Sequence, residues 1–164
     1  MNLDQQLLRQ YRSGEGLPIA IKSTPLAESL GTKLETIDAA GSRIELSFVV
    51  GQQFLQAEEV VHGGIVTTML GFAMAYAALL AIPEGLSVAT INMNVSYLRS
   101  AIPGHHSAVA EIERCGRNIV FARAQLLERE NKPVATAVSS LAIVRPRRND
   151  VHELVTGAPR QVIV

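Results

Sequence analysis

The most pointed chemistry in this sequence sits in four consecutive residues, Val61-His62-Gly63-Gly64, placed directly before a long uncharged run. If that run is a helix, its first turn leaves backbone N–H groups without intrahelical acceptors and sets the positive end of the helix dipole beside an imidazole. Two glycines let a ligand approach the backbone closely, so an amide such as the Gly64 N–H could hold a carbonyl oxygen while negative charge develops on it. Acyl transfer uses that geometry. The same residues also suit a purely structural corner, in which the glycines relieve crowding at a strand-to-helix turn and His62 caps the helix.

Other reactive side chains are less organised. His105-His106 and His152 stand at no spacing to cysteine or acidic residues that reads as a metal site, so neither a structural nor a catalytic metal is expected. Cys115 adjoins Gly116-Arg117, where a guanidinium could lower a thiol pKa, yet a free cysteine reads more simply as a small buried hydrophobe. Arg145-Pro146-Arg147-Arg148 reads as a solvated strand exit, and no glycine-rich nucleotide motif of the dinucleotide or Walker type occurs.

The elements that must position these residues follow from periodicity. Between residues 65 and 82 nothing is charged, only Thr67, Thr68 and Tyr76 are polar, and Gly71 is the one poor helix former, which predicts a helix buried on all sides. Its length is just compatible with a membrane span. Its flanks argue for a core helix instead: Pro83-Glu84-Gly85 ends it, and Thr90, Asn92, Asn94 and Ser96 then alternate with Ile91, Met93, Val95 and Tyr97, the period of a strand with one wet face. Further strands are expected at 106–114, 118–129 and 133–144 as a meander, so that four strands follow the helix in hairpin-like succession. Upstream, residues 32–37 and 43–50 flank the turn-like Asp38-Ala39-Ala40-Gly41 as a hairpin, with Ile44, Leu46 and Phe48 facing inward. Leu3, Leu7 and Leu8 recur at helical spacing before Ser13-Gly14-Glu15-Gly16, and Thr24-Pro25 caps a second short helix over 25–30. The sum is an α+β domain with an antiparallel sheet curled around one long central helix. A single domain over 1–145 and a tail over 146–164 are expected.

Composition bounds the rest. With 164 residues, 48% apolar and 18% charged, the chain can bury a core without metal or disulfide staples. Fifteen basic and fifteen acidic side chains cancel, so no net field would draw it to nucleic acid or an anionic membrane, and neither is expected as a partner. The single cysteine and an N-terminus without an apolar signal core fit a cytoplasmic location.

Residues 56–99 resemble the core of the hotdog-fold acyl-CoA thioesterases of the phenylacetic acid degradation type, and the likeness extends over roughly residues 20–145. The family pattern is a polar amide six residues before a histidine, then His-Gly-Gly opening the hotdog helix, then a strand of the form Thr-x-x-x-Asn-x-x-Tyr-Leu-Arg. Here these are Gln56, His62-Gly63-Gly64, and Thr90 through Asn94 to Tyr97-Leu98-Arg99; Gly116-Arg117 resembles the family's Gly-Arg turn. The resemblance implies that Gln56 hydrogen-bonds near the thioester, that the Gly64 N–H polarises its carbonyl, and that His62 orients substrate or water. It implies that Thr90 helps place the attacking water, with Gly63, Gly71, Asn94, Arg99 and Arg117 on the substrate, the two arginines near the CoA entrance. It also implies a homodimer or dimer of dimers with the site at the subunit interface, and no cofactor beyond the coenzyme A of the substrate.

One departure stands against these matches. Nine residues after the histidine the family carries an acidic general base or nucleophile, and this sequence has Gly71. General-base assistance is typically worth about 10²–10⁴ in rate, so its loss is serious. Glu58 or Glu59 could substitute, His62 could itself be the base, or Gly71 could make room for a bulkier acyl group. Two readings therefore stand: a thioesterase for medium-chain or aromatic acyl groups facing Met69, Phe72 and Met93, and a noncatalytic acyl-CoA or acyl-carrier binding protein. An enoyl-CoA hydratase would need an Asp and His pair that is not found.

Overall fold

The computed structural model describes residues 3–38, 40–57 and 59–145; the expected tail over 146–164 lies outside them. Helix α1 (Leu3–Gln10) and α2 (Pro25–Ser29) precede the main body, and α2 begins as its sequence demands, with Thr24 Oγ1 accepting the Ala27 N–H at 3.2 Å and proline in the first turn. A two-residue strand β1 (Ile19–Ala20) separates them, too short to show a period in the sequence. Strands β2 (Lys33–Ile37) and β3 (Arg43–Val50) form the expected hairpin, with Ile44, Leu46 and Phe48 fully buried. Asp38 closes its turn by accepting the Ser42 and Arg43 N–H groups at 2.7 and 2.8 Å.

Helix α3 (Gly63–Ala81) rises about 28 Å along its axis. Its apolar length would span a membrane, but ten of its residues are buried against sheet and α1. Strands β4 (Ser87–Tyr97), β5 (Gly104–Cys115), β6 (Ile119–Glu128) and β7 (Lys132–Val144) complete one antiparallel sheet in the order β1-β2-β3-β5-β6-β7-β4. The fold is α+β, a hotdog: one sheet around one long helix, with short helices at the N-terminal side.

Two expectations are corrected here. The three strands expected as a meander form one, β5-β6-β7, but the four strands after the helix are not in hairpin-like succession: β4 and β5 are not neighbours, because β4 pairs with β7 at the far edge while β5 pairs with β3. The segment 98–103 crosses the start of α3 between them, held where the Val61 N–H donates to Ala101 O at 2.8 Å. Nor is the alternation in β4 unbroken. A bulge at Ile91 puts Thr90 opposite buried Leu141, on the helix side with Met93, Val95 and Tyr97, whereas Asn92, Asn94 and Ser96 face outward beside Ser140, Val138 and Thr136. The Ser139 hydroxyl, donating to Asn92 O at 2.7 Å, satisfies the backbone where the ladder slips.

The C-terminal end of α3 is closed by α1. The buried Gln5 amide donates to Leu79 O at 3.1 Å and Pro83 O at 3.0 Å and accepts the Gly85 N–H at 3.0 Å, while an Arg9 terminal N–H reaches Ile82 O at 2.9 Å. These bonds occupy carbonyls at the helix C-terminus and place a cation at the negative end of its dipole.

Candidate active site at the start of helix α3

The chain delivers His62 to the helix by a small ribbon. Leu55 bridges Val61, the His62 N–H donates to Phe54 O at 2.9 Å, and the intervening turn is closed by the Gln56 N–H on Val60 O at 2.9 Å, with Glu59 in the left-handed region. His62 then caps α3: its Nδ1 accepts the Gly64 N–H at 2.9 Å, so the neutral ring carries its proton on Nε2. A Cβ on residue 64 would stand 3.0 Å from that Nδ1, so any larger residue there would press on the imidazole that caps the helix.

This cap occupies the amide that the sequence pattern suggested as the donor to a ligand. The Gly64 N–H is already engaged, and it is the Gly63 N–H that has no acceptor among the described residues. No acidic side chain lies in the first turn of α3, so the positive end of the dipole is uncompensated from within the helix. Gly63 opens on a cavity of about 340 Å³ that also has Gln56, Tyr97, Leu98 and Arg99 in its wall. Gly63, Gln56 and Arg99 thus line one opening at the helix start.

The remaining predicted site residues are dispersed within one chain. Gly71 lies two turns along α3, where an added Cβ would meet only the Met93 thioether, Cε at 3.7 Å and Sδ at 4.0 Å. Thr90 stands on the same side of β4, about 20 Å along the strand from Tyr97. Asn94 points away from the helix into an outer-face groove with Arg43, Glu111 and Arg123. Arg117 is exposed in the β5–β6 turn at the opposite end of α3, next to Cys115, whose thiol lies 3.8 Å from Ala81 O. Arg99 and Arg117 therefore do not flank one entrance in a single chain. Cys115 is exposed rather than buried, and Met69 is fully buried in the core, so it cannot face an acyl group at the surface. Of the two substitute bases, Glu59 is exposed on the turn and Glu58 lies outside the described residues. No group of three or more potential metal ligands occurs among the described residues.

Sequence reasoning gave no role to two further side chains, one at this site and one buried on β5. Tyr97 binds the first turn of α3 through its hydroxyl, 3.0 Å from Gly63 O and 2.7 Å from Thr67 Oγ1. His106, on β5, is buried; its Nδ1 lies 3.3 Å from Gly104 O and its Nε2 has no partner among the described residues. Burial pushes its pKa below the ordinary histidine value, against the Gly104 carbonyl and the Glu128 carboxylate, which raise it.

Comparison with known proteins places these features. Residues 58–135 match the model of the Thioesterase superfamily. The chain is similar to a phenylacetic acid degradation-related protein from Ralstonia eutropha JMP134, at 28% identity over 86% of this chain and 99% of that one, with a TM-score of 0.72. It is similar to a thioesterase family protein from Silicibacter pomeroyi, at 25% identity over 87% and 99% of the two chains, TM-score 0.72. The PaaI protein of the E. coli phenylacetic acid degradation operon shares the fold at 18% identity over 86% and 94%, TM-score 0.69. No curated protein sequence matches. The matched stretch contains His62-Gly63-Gly64, and the pattern around His62 is similar to that of the thioesterases related to phenylacetic acid degradation.

Proposed function

We propose that this protein hydrolyses acyl-CoA thioesters, with the carbonyl oxygen docked on the Gly63 N–H and water attacking at the start of α3. The observation that carries this reading is the unpaired Gly63 N–H at an uncompensated helix N-terminus, opening on a cavity with Gln56 and Arg99 in its wall. A donor fixed where negative charge develops stabilises the tetrahedral transition state more than the ground state. Gln56 binds near the thioester, His62 orients substrate or water, and Arg99 suits a CoA phosphate. The acyl group is medium-chain or aromatic, lodged against half-buried Phe72 and Met93 beside the space left by Gly71. No cofactor is needed beyond the coenzyme A of the substrate, and a cytoplasmic setting fits.

The unit that works is a homodimer, of which a dimer of dimers is an extension. Among the described residues strand β4 pairs only with β7, leaving an eleven-residue edge without a neighbour, with Ile91 and Leu98 each more than half exposed beside it. Such an edge is an aggregation hazard unless another chain covers it. Antiparallel pairing of two β4 edges sets two α3 helices side by side in opposite senses, so Gly71 and Thr90 of one copy approach the Gly63 end of the other. That gives the dispersed residues a reason to be where they are.

The second reading, a binding protein without turnover, is favoured by one observation: Gly71 offers no carboxylate. Hydrolysis of short, medium-chain and aromatic acyl-CoAs by wild type, His62→Ala and Gly71→Asp separates the two. The thioesterase reading expects wild-type turnover that His62→Ala lowers. An inert wild type that gains turnover as Gly71→Asp would establish the binding reading.

A further inference from the structure

We infer that Tyr97 is a positioning residue for the proposed oxyanion donor: with Thr67, its hydroxyl locks Gly63 so that the Gly63 N–H faces the cavity. The inference rests on the reading that a thioester carbonyl docks there. Gly63 and Gly64 are the two most freely rotating residues that could open a helix, and a helix's first turn is where order is weakest. Something must hold them. His62 fixes the Gly64 side through its ring. On the Gly63 side the hold comes from β4, across 34 residues of sequence: the Tyr97 hydroxyl donates to Gly63 O at 3.0 Å and accepts from Thr67 Oγ1 at 2.7 Å. Thr68 continues the arrangement, its hydroxyl donating to Gly64 O at 2.8 Å.

The Tyr97 ring also lies beside the same glycine. A Cβ on residue 63 would stand 3.4 Å from ring Cε1 and from the hydroxyl oxygen, so the tyrosine ring packs at van der Waals distance from that end of the helix. Both hydrogen-bonding capacities that the hydroxyl uses are spent on α3, yet the residue is 55% exposed and contributes little to the core. Its polar contacts serve the local geometry of the cavity wall, which it shares with Gln56 and Arg99.

The role is tested by binding, which does not depend on turnover. Phenacyl-CoA and phenethyl-CoA differ only by a carbonyl, and their affinities are measured by calorimetry for wild type, Tyr97→Phe, Thr67→Val and Thr67→Ser. Wild type should prefer the ketone by about tenfold, the worth of one well-placed hydrogen bond. Tyr97→Phe and Thr67→Val should lose most of that preference while phenethyl-CoA affinity, thermal midpoint and oligomeric mass stay unchanged; Thr67→Ser, which keeps the hydroxyl, should retain it. Persistence of the preference in Tyr97→Phe overturns the positioning role alone. So does an equal fall in both affinities, which would make Tyr97 a mere wall of the cavity. A wild type with no preference for the ketone overturns the docking of the carbonyl at Gly63, and the role of Tyr97 with it.

Discussion

His62 shows how one residue can satisfy two interpretations at once. Its ring caps α3 through Nδ1, the structural use, and by taking the Gly64 N–H it leaves the neighbouring Gly63 N–H as the available donor. The motif was legible in the sequence as a helix start suited to a carbonyl oxygen, but which of two successive amides is free depends on the imidazole rotamer, which no spacing encodes. Tyr97 was legible only as part of a family pattern, since its partners Gly63 and Thr67 lie 34 and 30 residues away. His106 carries a prediction at this scale. Its native pKa is held below that of the unfolded chain by burial, aided by the nearby His105 and opposed by Gly104 O and Glu128. As pH falls through about 6.5, the unfolded chain therefore takes up a proton that the native site refuses, and stability is lost toward acid. Thermal midpoints between pH 7.5 and 5.5 should fall for wild type and fall less for His106→Leu. Parallel curves would deny His106 this part.

At the scale of elements, period and capping residues specified most of the fold: the inward Ile44, Leu46 and Phe48 of β3, the Thr24-Pro25 start of α2, and the uncharged α3 all follow from their sequences. The failures have a common physical cause, which is that they depend on partners distant in sequence. A bulge at Ile91 reverses the face of Thr90 relative to Asn94, and a strict period-2 reading cannot see it. The clasp of α1 on the end of α3 was equally hidden, because the helical spacing of Leu3, Leu7 and Leu8 does not say what Gln5 between them will meet. It is 2% exposed and makes three hydrogen bonds to Leu79, Pro83 and Gly85. Gln5→Ala leaves those backbone groups unpaired and should cost about 2–3 kcal/mol. Chemical denaturation that finds less than about 0.5 kcal/mol, the usual range for an inconsequential surface change, would show the clasp to be incidental.

For the whole molecule, sheet order decides what one chain can do. Placing β4 at the edge, beyond β7, leaves its outer side open, while the lengths of α3 and β4 separate the Gly63 end from Gly71 and Thr90, so a second copy is the natural complement. Sedimentation equilibrium should return at least twice the 17.7 kDa chain mass, and a stable monomer at that mass would remove the composite site. The central claim is narrower and can be measured alone: the carbonyl oxygen of an acyl-CoA analogue meets the Gly63 N–H. A crystal structure with phenacyl-CoA should place the ketone oxygen about 2.7–3.1 Å from the Gly63 nitrogen. A ligand bound with its carbonyl away from residues 62–64, for example in the outer groove beside Asn94, would contradict it.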